Sequence, residues 1–427
     1  MGILPAWVCG HLADYRGLLG EGCVGVDEES GLIVSVSRDH PGSGAGRVWD
    51  YRGRGVIVAP GFIDLHVHLR GLQLSYKEDE ASGCKAAAAA GITLVVDMPN
   101  TRPQLRDPEA LRAKLEALDS KCIVDHGAYA GIPRDPSLAS RLASEPIAGF
   151  KVYPEDLASP GLAGALATRR LVVLHPELPE ASKADLASAT LEGRLAHRGC
   201  WWEGAAVLEL GAHRPRGRVH VTHASCASTV AMARSWGYTV DVTPHHLFLD
   251  TTAPLDPCLG RVNPPLRSPG ERLGLVKMLL EGRVDALASD HAPHEEREKS
   301  LPPTCPPGFP WLEAWPWLAY RLVASGALGL GEFHWLTSRG PALVLGLKRY
   351  GALQEGFRAN LVAYDPNASW RFPGPRYSKA KLHPATMMEL RGRPLGVWVG
   401  GAPVYLDGEI VEGRRPGVNP FRAPGAR

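Results

Sequence analysis

The chain has 427 residues, of which 44% are hydrophobic, so it is too long for one small domain and can bury a large core. Its 47 basic residues against 45 acidic ones leave a formal charge of +2, which argues against a nucleic-acid or anionic-membrane partner. The start, MGILPAWVCGHLADYRG, has no basic flank followed by a long apolar run, so no signal peptide or membrane span is expected and a cytoplasmic location is.

In chain order, residues 1–59 are rich in Gly, Val and turn residues and read as short strands. From Pro60 onward apolar runs alternate with helix-like segments. The runs are GFIDLHVHL, ITLVVDM, CIVDHGAYA, IAGFKVY, LVVLHP, RVHVTH, YTVDVT and VDALASD. Between them lie segments such as EASGCKAAAAAG, PEALRAKLEALD, TVAMARSWG and ERLGLVKMLLEG. Strand-then-helix units repeated in this way predict an α/β fold, a (β/α)8 TIM-like barrel over residues 60–351. Residues 352–427 return to strand signals, FRANLVAYDP and PLGVWVGGAPVYLDGEIV. Together with residues 1–59 they predict a small composite β-sandwich domain beside the barrel. The eight cysteines are scattered without a C-x-x-C pair, so neither a zinc ribbon nor a disulfide framework is expected.

The polar residues collect where the apolar runs end, the barrel face on which active sites are built. His66 and His68 end the first run, Asn100 follows the second, and Lys151 lies in the fourth. His175 and His223 end the fifth and sixth, His245 and His246 follow the seventh, and Asp290 ends the eighth. Residues two apart on a strand face the same way, so His66 and His68 can hold one cation or form a hydrogen-bonded core pair. Asp64 shares their parity and suits an orienting role. His175 and His223 add two imidazoles, enough in total for two metal ions. Asp290 adds a carboxylate that can bind metal and carry a proton. His291 has the opposite parity and ranks below it.

Lys151, in AGFKVYPED, is costly to bury as a cation, and burial favours its neutral amine. A neutral amine can add carbon dioxide, and the resulting carbamate has two oxygens suited to bridging two metals. The other reading is that Lys151 reaches the barrel rim or pairs with Glu155 or Asp156. Arg70, Asn100, Asn263, Arg267 and His294 are donors near the same strand ends, and a guanidinium fork suits a carboxylate substrate. HHLFLD reads as loop packing, and LPPTCPPGFP as a loop placed to wall in a substrate.

These residues carry a resemblance. PGFIDLHVHLR, MPNTRPQL, GFKVY, VTPHHLFLD, NPPLR, ASDHAPH and PPGFPWLE, with SKAKLHP and VYLDGEIV in the tail, resemble the dihydroorotases of the amidohydrolase superfamily over most of the chain. MPNT, PHHLFL and SDHAPH are the more specific of these; H-x-H is shared across the superfamily. The resemblance implies reversible cyclisation of N-carbamoyl-L-aspartate to L-dihydroorotate in pyrimidine synthesis. It implies two Zn2+ ions, one on His66, His68 and Asp290 and the other on His175 and His223. A carboxylated Lys151 would bridge them, or an acid at Glu155 or Asp156 as in many bacterial relatives. Arg70, Asn100 and His294 match the carboxylate-binding set, and Asn263 follows the NPPLR pattern. HLRGLQ lacks the E-P-G that often follows the arginine, the stretch between Lys151 and His175 is short, and LAHRGCWWEGAAVLEL diverges. The alternatives are a hydantoinase or allantoinase, whose substrates lack the matching acid, and a non-catalytic scaffold. The sequence leaves open self-association and pairing with an aspartate transcarbamoylase.

Overall fold

The computed structural model describes residues 5–39, 46–184, 190–300, 304–386, 388–413 and 417–422. The N-terminal strands are β1 (Ala6–Asp14), β2 (Gly17–Asp27), β3 (Leu32–Ser37), β4 (Val48–Asp50) and β5 (Ile57–Pro60). The eight that follow are β6 (Phe62–Val67), β7 (Ile92–Asp97), β8 (Asp125–Gly131), β9 (Gly149–Val152), β10 (Val172–Leu174), β11 (Val219–Val221), β12 (Thr239–Val242) and β13 (Ala286–Leu287). The last four are β14 (Leu361–Arg371), β15 (Glu389–Val399), β16 (Ala402–Leu406) and β17 (Glu409–Ile410).

Strands β6 to β13 pair in chain order as one parallel sheet. The sheet closes just beyond β13, where Val67 bridges His291 in parallel and the His68 N–H donates to the His291 carbonyl at 2.7 Å. Both faces of such strands are covered, which is why β7 reads ITLVVD and is buried throughout. The helices between them begin on side-chain caps. Asp107 accepts from the amides of Glu109 and Ala110 ahead of Pro108–Lys121, and Ser268 and Glu271 form a capping box on Pro269–Leu280. The predicted barrel is therefore present.

The remaining strands form one sheet in the order β17-β16-β15-β14-β5-β1-β2-β3, with β4 on β1. It is antiparallel except where β1 pairs with β4 and β5, and β5 pairs with β14 to join the two ends of the chain. This sheet has its own apolar cluster, including Val8, Val24, Val58, Leu361 and Trp398. Buried Asp125 at the start of β8 ties it to the barrel. It accepts from the Arg358 guanidinium at 2.9 and 3.0 Å, from Asn360 Nδ2 at 2.9 Å and from the Val418 amide at 2.9 Å.

The cysteine expectation is corrected. All eight pair, as Cys9–Cys23, Cys84–Cys122, Cys200–Cys226 and Cys258–Cys305. The partners lie 14, 38, 26 and 47 residues apart, so no local spacing pattern could reveal them. Cys9 and Cys23 meet because they are register partners on β1 and β2, and the tertiary fold supplies the other three contacts.

Candidate metal centre and substrate pocket

His66 on β6 and His68, one residue past its end, turn to one side, and Asp290 approaches from the far end of the barrel sequence. The Nε2 atoms of His66 and His68 lie 3.2 and 3.1 Å from the same oxygen, Asp290 Oδ1. Their other nitrogens are engaged: His66 Nδ1 with Thr222 Oγ1 at 2.6 Å and His68 Nδ1 with Asn100 Oδ1 at 2.7 Å. Asn100 Oδ1 can only accept, so His68 Nδ1–H donates to it, and Nε2 is the ring nitrogen turned to Asp290. Burial, then the charge of Lys151, holds His66 well below its ordinary pKa and keeps it neutral. Ring nitrogens and a carboxylate oxygen thus converge within 4.8 Å of one another, an electron-rich cluster that a cation would satisfy.

His223 continues the cluster, its ring centroid 5.0 Å from that of His66 and 4.6 Å from that of His175. Burial and the neighbouring His175 and Lys151 push its pKa well down, and its Nδ1 is buried without a hydrogen-bond partner. The Nε2 of His175 meets Glu177 Oε2 at 2.8 Å, and Glu177 also receives the Arg198 guanidinium, with Nε at 2.9 Å from Oε1. That carboxylate fixes the ring and leaves Nδ1 as its available donor to a metal.

Lys151 on β9 is fully buried, and its Nζ has no hydrogen-bond partner; it sits 5.4 Å from the centre of the Tyr153 ring. Burial draws its pKa down to about 7, against the opposing pull of Asp290, Asp241 and Asp156. The acids that could have paired with it are turned elsewhere. Asp156 receives Arg106 Nη1 and, at 3.0 Å, the Tyr153 amide, while Glu155 is 3.7 Å from Arg106 Nη2. An unpartnered buried amine beside neutral imidazoles and a carboxylate fits a nitrogen-and-oxygen metal site.

A cavity of about 230 Å³ opens over this group, lined by the four histidines, Asp290, Arg70, Asn100, Tyr153, Asn263, Pro307 and Gly308. Arg70, His223 and Asp290 take left-handed backbone angles, with φ of 56°, 41° and 48°. Side chains at strand exits are held at such angles only when their surroundings over-determine them. For Arg70 the surroundings are a fully buried ion cluster. Lys114 Nζ binds Glu80 at 2.8 Å, Asp97 at 2.7 Å and the Arg70 carbonyl at 3.1 Å, and Asp97 Oδ1 accepts from the Leu69 amide at 2.7 Å.

The structure therefore gathers His66, His68, Lys151, His175, His223 and Asp290 in one place, with Arg70, Asn100 and Asn263 around it. His294 stands behind Arg70, its Nε2 3.3 Å from Arg70 Nη2 and 3.1 Å from the Pro307 carbonyl. Arg267 is buried in a separate network with Ser225 and Glu203 at 2.7 Å each. His246 bonds Thr243 Oγ1 and the Pro264 carbonyl, and His245 packs on Phe309 and Trp311. His291 faces Glu78. Asp64 accepts from the His66 and Ser289 amides, joining the exits of β6 and β13.

Sequence reading passed over Glu177 and Arg194. Glu177 follows His175 by two, the same spacing that made His66 and His68 conspicuous. Arg194 lies one residue before the divergent stretch, and its Nη2 binds Asn263 Oδ1 at 2.6 Å and its Nη1 the Val262 carbonyl at 2.9 Å. No local pattern signals that clasp.

Residues 57–171 match the amidohydrolase family model. A dihydroorotase of Aeropyrum pernix is 48% identical over 339 residues, covering 75% of this chain and 78% of the relative. A dihydroorotase of Saccharolobus solfataricus is 36% identical, covering 86% of this chain and 88% of the relative. Among solved structures, the L-hydantoinase of Arthrobacter aurescens superposes with a TM-score of 0.87 at 23% identity, covering 96% of this chain and 98% of that one. The dihydropyrimidinase of Brevibacillus agri gives 0.85 at 22% identity, covering 97% and 98%. At that identity the two structures speak for the fold alone.

Proposed function

The chain belongs to the dihydroorotase family of amidohydrolases, and from that membership we propose that it interconverts N-carbamoyl-L-aspartate and L-dihydroorotate in pyrimidine synthesis. The observation that carries this reading is the presence of Arg70 in the same cavity as the histidine–aspartate cluster. A cyclic amide bearing a carboxylate uses both; hydantoin and allantoin offer the arginine no matching acid.

His66, His68 and Asp290 would hold one zinc ion and His175 and His223 a second, with carboxylated Lys151 between them. Bound there, the metals would polarise the ring carbonyl and lower the pKa of an attacking water. The chain's own groups do the rest. Asp290 takes the proton of the attacking water and delivers it to the departing ring nitrogen; in synthesis the transfers reverse. Arg70 grips the substrate carboxylate, backed by His294. Burial and the charges of Arg70, Lys77 and Lys299 hold His294 far below its ordinary pKa, so it meets the guanidinium as a neutral ring. Asn100 gives its oxygen to His68, which leaves its amide N–H groups for the substrate. Asn263, held through Oδ1 by Arg194, likewise offers N–H groups. These contacts supply orientation. We place the enzyme in the cytoplasm, a compartment in which intracellular proteins of hyperthermophiles do carry disulfides.

The test is ring opening by the zinc-loaded protein with L-dihydroorotate, hydantoin and allantoin offered separately. Turnover of L-dihydroorotate alone is expected. Turnover of hydantoin or allantoin without L-dihydroorotate would reject the assignment.

A further inference from the structure

We propose that the Cys258–Cys305 disulfide is a positioning strut for the substrate, fixing the two loops that wall one side of the pocket. The inference takes its substrate from the dihydroorotase reading but rests on separate geometry. One loop runs between the helices Pro244–Phe248 and Pro269–Leu280 and supplies Val262 and Asn263 to the cavity. The other lies between the helices Glu296–Lys299 and Trp315–Ala324 and supplies Pro307 and Gly308. The first loop lies outside the barrel sheet, and the second meets the barrel seam at Phe309, which bridges His291 in parallel; the stretches before that anchor lie outside regular structure and move readily unless tied.

The disulfide joins these loops five residues before Asn263 and three before Gly308. Each side is prepared for it. The Asp256 carboxylate accepts from the Cys258 amide at 2.8 Å and the Leu259 amide at 3.2 Å, forming the turn that presents Cys258. Beyond Cys305, Gly308 has φ 137° and lies against Ala292, whose carbonyl would be 2.5 Å from an added Cβ. The Gly308 amide donates to the Arg261 carbonyl at 2.9 Å, and Lys299 Nζ spans the Arg261 and Pro306 carbonyls at 3.4 and 3.0 Å. The sulfur bridge thus closes a short ring of contacts whose open side faces the substrate. Both cysteines are about as buried as core residues, at 2% and 3% exposure, so the bond is a permanent strut and not a switch for ambient thiols.

The other disulfides do not bracket the pocket in this way. Cys9–Cys23 staples β1 to β2 in the terminal sheet. Cys84–Cys122 joins the helix Glu80–Ala89 to the end of Pro108–Lys121. Cys200–Cys226 joins the starts of the helices Cys200–Ala212 and Ala227–Ser235.

The experiment compares Cys258→Ser/Cys305→Ser with the wild type and with Cys9→Ser/Cys23→Ser as a control, all full-length and zinc-loaded. The strut variant is expected to raise KM for L-dihydroorotate about tenfold, with kcat within about twofold, the signature of lost binding without lost chemistry. Zinc content should not change. Amide hydrogen exchange, measured without substrate, should accelerate in residues 256–263 and 304–309 and stay unchanged in the barrel strands. The control should match the wild type in KM and in those loops. Unchanged loop exchange, an unchanged KM, or a parallel fall of kcat and zinc content would overturn the proposal. If wild-type protein does not turn over L-dihydroorotate, the substrate assignment fails, while loop exchange still decides the strut. Should the double variant not fold, Cys305→Ala cuts the same bond and is read identically. Failure of both to fold would make the bond a support of the fold and overturn its positioning role.

Discussion

His68 and Asp290 are 222 residues apart in sequence, yet His68 Nε2 lies 3.1 Å from Asp290 Oδ1. The contact spans the seam where the barrel closes, so the site exists only when the first and last strands meet. His66 reaches the same oxygen, and the remaining imidazoles follow in a row through His223 to His175.

Asp290→Asn keeps the size and the position while removing the carboxylate. Because Asp290 is the proposed proton carrier, kcat for L-dihydroorotate should fall by about 10²–10⁴-fold, the range for lost acid–base catalysis. Steady-state kinetics, with circular dichroism to confirm the fold, make the comparison. A kcat within a few-fold of wild type would assign the proton to another group.

Arg70→Lys keeps a positive charge but loses the two-pronged fork, and the shorter ammonium no longer spans His294 and the substrate. KM for L-dihydroorotate should rise by roughly tenfold or more, with a smaller change in kcat. An unchanged KM would mean that the substrate carboxylate is held elsewhere.

Lys151→Met removes the amine without changing much volume. The variant should bind less zinc at equilibrium with a competing chelator. Wild-type protein grown with isotopically labelled bicarbonate should show one carbamate resonance that the variant lacks. Full zinc content in Lys151→Met would hand the bridging position to another residue.

Lys114 is the fully buried cation between Glu80 and Asp97, and the half-exposed Lys121 reaches Glu80 at 3.4 Å, so removing Lys114 leaves Asp97 without its ammonium partner and Glu80 with the outer one alone. Lys114→Met should cost about 3–5 kcal/mol of stability, read as a lower denaturant midpoint. The pH dependence has a definite sign. Burial pushes Glu80 up, but the Lys114 charge overrides it and leaves the pKa below the ordinary 4.5. Its contribution is thus present above pH 4.5 and lost as pH falls through the lowered value. Burial pushes Lys114 down, but Asp97 and Glu80 outweigh it and raise the pKa above 10.5. That contribution is present below pH 10.5 and lost as pH rises through the raised value. The wild-type stability advantage over Lys114→Met should therefore be a plateau between those limits.

Much of this site was legible in the sequence for a local reason. Side chains alternate along a strand, and strands of a (β/α)8 barrel pair in chain order, so strand-end histidines belong to one rim. His66, His68, His175, His223 and Asp290 could be gathered on that logic, and Lys151 stood out because a lysine in an apolar run needs an explanation. The loops were opaque. The Arg194 clasp on Asn263, the place of His294 behind Arg70 and the four cysteine pairs all depend on chain paths that no periodicity encodes. Glu177 was readable by its spacing from His175 but lies just beyond the strand, where alternation ceases to be a guide.

The central claim is that six side chains form one two-metal cavity. Anomalous diffraction at the zinc edge, from crystals of the zinc-loaded protein, tests it most directly. The account predicts two peaks, one among His66, His68 and Asp290 and one between His175 and His223, with density extending from Lys151 Nζ to both. Peaks outside this cavity, or ordered zinc that leaves the His66–His68–Asp290 cluster empty, would contradict it.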